Sequence, residues 1–270
     1  MNKALILDFG SQYTQLIARK VRELGVYSEI HPYNLPLERI KALNPGAIIL
    51  SGGPKSVYEP DSPHPDPGLF QLGIPILGIC YGLQLIAHHL GGKVEKAPRK
   101  EYGFASLRIL DRRGLLHSLK DKTQVWMSHG DRLEAIPEGF AITARTSNSR
   151  AAVIENTHLK IYGVQFHPEV AHTAEGKKIL ANFLFRLSGL KADWNMKSFI
   201  EQKVREIRQQ VGREKVICGL SGGIDSLVTS LLIQKAVGRQ LYCIFVNNGL
   251  LRLGEYENLL QEFRQKFSLQ

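Results

Sequence analysis

Three cysteines in 270 residues are too few for a disulfide framework, and such usage points to a reducing, cytoplasmic setting. Two of them, Cys218 and Cys243, lie in apolar runs and read as core residues. A secretory leader is not expected, because Asp8 interrupts the short apolar run after Lys3. The chain lacks internal repeats and low-complexity tracts. Residues 68–92 hold no Asp, Glu, Lys or Arg. That stretch is long enough to span a bilayer, which needs about 20 apolar residues. Gln71, Pro75, Gln84, His88, His89 and several glycines break it, and a strand, a turn and a helix account for it better. Basic residues gather at 93–100 and 197–215 within a net charge of +10, but without aromatic interleaving or a zinc pattern. They read as solvated helix and loop faces that favour anionic small molecules; nucleic-acid binding rests on the charge alone.

What is present is an ordinary globular composition, 43% hydrophobic and 22% charged, sufficient for one large or two medium domains. Strand-like runs recur at 4–7, 47–50, 74–79, 125–127 and 161–166, with helix-like runs such as 13–23 and 175–187 between them. This alternation predicts an α/β domain of three layers around a mostly parallel sheet. Segments 102–110 and 140–154 look like antiparallel additions, and the Pro/Asp-rich 59–68 is a surface loop. A second pattern starts near 190. Trp194, Phe199, Val204, Ile207 and Val211 fall near one helical face ending at Gly212, then come a strand at 216–220, an amphipathic helix at 227–237, a strand at 241–246 and a last helix at 255–267. The predicted division is 1–190 and 191–270. The second part, with too few strands for a stable parallel sheet, reads as a partial, truncated α/β domain.

Chemistry concentrates first at Gly78-Ile79-Cys80-Tyr81-Gly82. An apolar strand precedes it and a helical pattern follows, so the glycines frame a sharp strand-to-helix turn with sulfur where the G-x-S-x-G elbow has oxygen. Such a turn exposes Cys80 at a helix N-terminus, where the dipole favours the thiolate. A cysteine nucleophile needs a base and an orienting group. His167 and Glu169, two apart at a strand's end with Pro168 between them, supply both if period-two alternation puts them on one face. The turn Ser51-Gly52-Gly53-Pro54 lets backbone amides approach a substrate, and the amide of Tyr81 is a natural second donor to an oxyanion.

The set Leu7-Asp8-Phe9-Gly10-Ser11-Gln12-Tyr13, Ser51-Gly52-Gly53-Pro54, Gly78 to Gln84, Met127-Ser128-His129-Gly130-Asp131 and Gly163 to Glu169 resembles class I glutamine amidotransferases. The resemblance implies that Cys80 attacks the side-chain amide of glutamine and forms a thioester. It implies that His167 serves the departing ammonia and the incoming water, that Glu169 orients His167, and that the amides of Gly53 and Tyr81 form the oxyanion hole. Gln84, Ser128, His129, Gly130 and Asp131 would contact glutamine, with no cofactor for this step.

In the second part, Ser221-Gly222-Gly223-Ile224-Asp225-Ser226 follows a strand and opens a helix, so its backbone amides can cradle phosphate although it is no Walker A loop. Asp225 there suits a magnesium ion or a helix-start carboxylate. The segment resembles the PP-loop of N-type ATP pyrophosphatases, and Phe245 to Arg252 their next motif. The resemblance implies ATP bound by Ser221 to Leu227, Mg2+, and xanthosine monophosphate (XMP) adenylated and then aminated by the ammonia. Asn247 stands where the family usually has Asp, and Leu227 where Ser or Thr is common. A homodimer would form through a further domain. Two other readings stay open: a non-catalytic interaction protein on the amidotransferase fold, and a glutaminase that serves another amination.

Overall fold

The computed structural model describes residues 3–247, 249 and 251–267. It divides into two compact units, Met1–Trp194 and Asn195–Gln270.

The first unit is built on a nine-stranded sheet. Its parallel half contains β1 (Lys3–Asp8), β2 (Tyr27–Pro32), β3 (Ala47–Leu50), β4 (Ile76–Ile79) and β9 (Ile161–Val164). Its antiparallel half contains β5 (Lys93–Ile109), β6 (Lys122–Ala135), β7 (Ala141–Arg145) and β8 (Val153–Asn156). The order is β2-β1-β3-β4-β9-β8-β7-β5-β6. β3, β4 and β9 are buried on both faces, which is why they read as unbroken apolar runs rather than alternating ones. Two cores result. Ile6, Ile49, Leu77 and Val164 pack with α1 (Thr14–Glu23) and α4 (Gly176–Ala181) on one side. Leu5, Leu7, Ile48, Leu50 and Ile76 pack with α2 (Leu37–Leu43) and α3 (Tyr81–His89) on the other. The expected three layers are present, while the sheet is mixed. β2 and α2 were not anticipated, and the basic run 93–100 is the start of a strand rather than a helix or loop face. That strand pairs with β6 from Lys93 to Arg108 through register shifts; its second half is the antiparallel segment expected at 102–110, while no local apolar pattern announces its start.

The second unit holds α5 (Met196–Val211), β10 (Val216–Leu220), α6 (Ile224–Val237), β11 (Leu241–Phe245) and α7 (Glu255–Gln261). Asn195 caps α5 by accepting from the Ser198 amide at 2.9 Å, so Trp194 lies before the helix and not on its face. The two strands pair in parallel over a small core of Leu220, Leu241 and Phe263. α6 departs from the expected amphipathic form. Its apolar residues are spread round the helix rather than gathered on one face, with Leu227 and Leu231 packed inward but Ile224 and Val228 exposed. Cys218 on β10 and Cys243 on β11 are half-buried rather than core residues, paired with each other in a sheet of two strands.

Glu155 on β8 carries a charge the fold resists. It is buried, and its carboxylate accepts from the Leu115 amide at 3.3 Å and Thr143 Oγ1 at 3.1 Å. Burial outweighs these bonds and pushes its pKa from 4.5 up to about 7. A carboxyl raised on folding holds its proton more tightly in the folded state. Stability therefore falls as pH rises from about 4.5 to about 7 and is level above. Glu155→Gln is expected to stabilise the protein by roughly 1–3 kcal/mol at pH 8 and to add nothing at pH 4. Denaturant unfolding at both pH values checks this; an equal difference at both would refute it.

Candidate active site

Cys80 ends β4 and caps α3 with φ 52° and ψ −102°, a backbone that L-residues rarely adopt. The geometry is held by close packing. The Cys80 amide donates to Val164 O at 2.8 Å, and that of Gly82 to Ser51 O at 3.1 Å. Gly78 and Gly82 are needed for approach, not for dihedral freedom. A Cβ on Gly78 would lie 2.5 Å from Gly82, and one on Gly82 2.5 Å from the carbonyl oxygen of Leu50. Gly82→Ala is expected to cost about 1–3 kcal/mol, because the neighbour is backbone and cannot yield. Equilibrium unfolding measures it, and a neutral substitution would contradict the packing argument.

His167 and Glu169 meet, though not for the reason expected. β9 ends at Val164, so both residues lie in the turn beyond it and strand alternation does not align them. The turn is fastened instead by the His167 amide donating to Trp126 O at 3.0 Å and Thr173 Oγ1 donating to His167 O at 2.6 Å. His167 Nδ1–H then donates to Glu169 Oε1 at 2.8 Å, in a pair almost fully buried. This leaves Nε2 for the sulfur. Burial opposes charge on the ring, but hydrogen bonds to Cys80 and Glu169 and their negative charge overcome it and hold the pKa up at about 10. The Tyr13 ring meets the imidazole edge-on at 5.1 Å. Gln165 Nε2 approaches Cys80 Sγ at 3.9 Å, and Ser128 O lies 3.6 Å from the same sulfur. Tyr13 and Gln165 carried no assigned role in the sequence, although both lie in segments that carry the family resemblance; only the fold brings them to the site.

A cleft of ≈ 520 Å³ opens from the sulfur. Gly53, Tyr81, Gln84, Ser128, His129, Gly130 and Asp131 all border it. Gly53 stands against Phe9 O and the Tyr81 ring, each 3.0 Å from where a Cβ would be. His129 borders the cleft with its ring engaged elsewhere: Nδ1 is 2.7 Å from Asp131 O and Nε2 3.1 Å from Glu101. Ser56 and Tyr58, to which the sequence alone assigns no role, also line the cleft and donate to Asp131.

In the second unit, Ser221–Ser226 forms an exposed turn after β10. Gly222 has φ 82°, the amide of Ser221 donates to Ser226 Oγ at 3.1 Å, and the amide of Gly223 donates to Ser221 Oγ at 3.3 Å. Asp225 sits in the first turn of α6, and Leu227 follows in the same helix. Asn247 Oδ1 accepts from the Gly249 amide at 3.0 Å; Asn248 and Leu250 of the same motif lie outside the described residues. Among the described residues no group of three or more His, Cys, Asp or Glu could hold a metal ion, and no helix is long and apolar enough to cross a membrane.

The family described as "Glutamine amidotransferase class-I" matches residues 5–187, and "NAD synthase" matches 194–247. A GMP synthase [glutamine-hydrolyzing] of Brachyspira hyodysenteriae is 54% identical over 269 residues, which cover 100% of this chain and 52% of that protein. The corresponding Geobacillus kaustophilus protein is 52% identical over 271 residues, 100% of this chain and 53% of its own. The chain thus spans about half the length of the curated relatives it matches. The crystal structure of a candidate GMP synthase component from Thermoplasma acidophilum superposes with TM-score 0.64 at 31% identity, covering 70% of this chain and 94% of that one.

Proposed function

We propose that this chain, which belongs to the class I glutamine amidotransferases, hydrolyses the side-chain amide of glutamine through Cys80 and forms the ammonia-producing part of a glutamine-hydrolysing GMP synthase. The observation that carries the reading is the buried line from Cys80 through His167 to Glu169, opening on one cleft. In that line His167 takes the thiol proton and Cys80 Sγ adds to the amide carbon. The oxyanion faces the amides of Gly53 and Tyr81. The C–N bond then breaks as His167 returns the proton to nitrogen, so ammonia leaves and a γ-glutamyl thioester remains. Water activated by the same imidazole hydrolyses it to glutamate. Gln84, Ser128, Gly130 and Asp131 line the space the amino-acid end would occupy.

We assign residues 1–190 to this glutaminase domain and 191–270 to the first part of an ATP pyrophosphatase domain. The match of 194–247 to NAD synthase and the Ser221–Ser226 turn at the start of α6 support that assignment. ATP phosphates would lie on this turn, and Asp225 would share a magnesium ion with them, since magnesium takes one or two carboxylates plus phosphate oxygens. Adenylation of XMP, its amination and a homodimer belong to the longer assembly in this proposal, and a cytoplasmic location fits the substrates.

Labelling tests the first half. A chloroketone analogue of glutamine is expected to add one equivalent at Cys80, found by peptide mass spectrometry, with free glutamine protecting. Modification elsewhere, or none, would overturn the assignment.

A further inference from the structure

The loop between β3 and β4 contains an arrangement that the amide chemistry above leaves unused. Asp131 is only 7% exposed, at the edge of the cleft. A carboxylate taken so far out of water needs its lone pairs filled. Two residues of the loop fill them, one for each oxygen. Ser56 Oγ donates to Oδ2, and Tyr58 OH donates to Oδ1 at 2.9 Å. Tyr58 is otherwise 49% exposed, so its hydroxyl rather than its ring is what the fold holds in place.

Both ends of this strap are anchored. At its far end the Tyr81 hydroxyl donates to Pro63 O at 2.9 Å, and His64 Nδ1 lies 3.1 Å from His89 Nε2 on α3. Beneath Asp131, His129 Nδ1–H donates to its carbonyl oxygen at 2.7 Å while Nε2 lies 3.1 Å from buried Glu101. The carboxylate is therefore fixed from the loop, and its peptide from the sheet. An ionised carboxylate has about four acceptor positions. The two hydroxyls use two of them and leave capacity toward the cleft, which also bears Lys96 and Lys100. A cleft with a fixed anion and lysines suits a zwitterion.

We propose that Ser56 and Tyr58 are positioning residues of the amide-hydrolysis site: by clamping Asp131 they aim its carboxylate at the ammonium group of a free amino-acid substrate. The proposal rests on the glutaminase reading. They touch the aspartate and not the reacting atoms, so they govern how tightly the substrate is held and leave the sulfur's reactivity alone.

The test compares three reagents on the full chain, wild type against Tyr58→Phe and Ser56→Ala. The first is a diazoketone analogue of glutamine, the second its N-acetylated form, which lacks the ammonium, and the third iodoacetamide. Tyr58→Phe removes one oxygen from a half-exposed ring and leaves the core alone. It is expected to raise the diazoketone concentration for half-maximal labelling by about ten- to a hundredfold, as loss of one hydrogen bond to a charged group would. The maximal labelling rate, the rate with the N-acetylated reagent and the rate with iodoacetamide stay within about twofold. Ser56→Ala gives the same pattern. Unchanged half-saturation in both variants overturns the proposal. A parallel fall with all three reagents also overturns it, because that reports general disorder of the site. Failure of wild-type Cys80 to react with the diazoketone while iodoacetamide labels it removes the glutaminase reading and the clamp together, and it is seen without any variant.

Discussion

Cys80→Ala is expected to abolish ammonia release from glutamine, a loss on the order of 10⁴- to 10⁶-fold that leaves only what the oxyanion donors and binding supply. Neither Ser51 nor Ser128 is placed to replace the sulfur. Ser51 Oγ donates to Gly52 O and accepts from the Phe9 amide, so it is held in the turn, and Ser128 presents its carbonyl to Cys80. The fold is expected to survive. Alanine removes one atom, and the strained φ of 52° is imposed by the Cys80 amide on Val164 O and by the glycines at 78 and 82, not by the sulfur. A second substitution, His167→Ala, should add little once Cys80 is gone, because residues acting as one unit lose their effect together. Ammonia assay of the two single variants and the double checks both points. Hydrolysis by Cys80→Ala within tenfold of wild type would mean that the nucleophile lies elsewhere.

How much of this was legible before the fold was known depends on the range of the interactions. The elbow at Cys80 is local: a strand, two glycines and a helix in one short stretch, so the sequence exposes it directly. The inner parallel strands β1, β3, β4 and β9 are equally plain, since burial on both faces demands continuous apolar residues, whereas the half-exposed edge strand β2 carries no such run. The His167–Glu169 pair was anticipated for the wrong reason. The alternation rule belongs to strands, and the strand stops three residues before His167; the His167 amide donating to Trp126 O and Thr173 Oγ1 donating to His167 O do the aligning. Tyr58 and Ser56 were invisible because their meaning is a contact more than seventy residues away. The second half of β5 was legible as the antiparallel segment at 102–110; its start was not, because register shifts and charged residues hide the period there, and its partner β6 rather than its own pattern makes it a strand. The second unit's α6 was read as amphipathic, but its apolar residues are spread round the helix, so periodicity could not tell its packed face from its exposed one.

Glu169→Gln separates the electrostatic part of the site from its shape. Glutamine can still accept from His167 Nδ1–H, so the ring keeps a partner, but the fixed negative charge that supports an imidazolium is gone. Turnover is expected to fall by about 10²- to 10⁴-fold, in line with the loss of the third member of a triad. Stability follows with a definite sign. His167 is raised from 6.5 to about 10 on folding, so the pair's contribution is fully present below the unfolded value near 6.5 and is lost as pH rises through about 10. Breaking a buried pair from one side costs on the order of 3–5 kcal/mol. The variant should therefore be much less stable than wild type at pH 6 and nearly equal to it at pH 10. Unfolding curves at those two pH values, taken beside the rate of Cys80 labelling, distinguish the roles. A pair that merely braces the turn would lower stability and leave labelling at its wild-type rate, whereas a pair that holds charge at His167 must lower both, and must do so most where the imidazole is protonated.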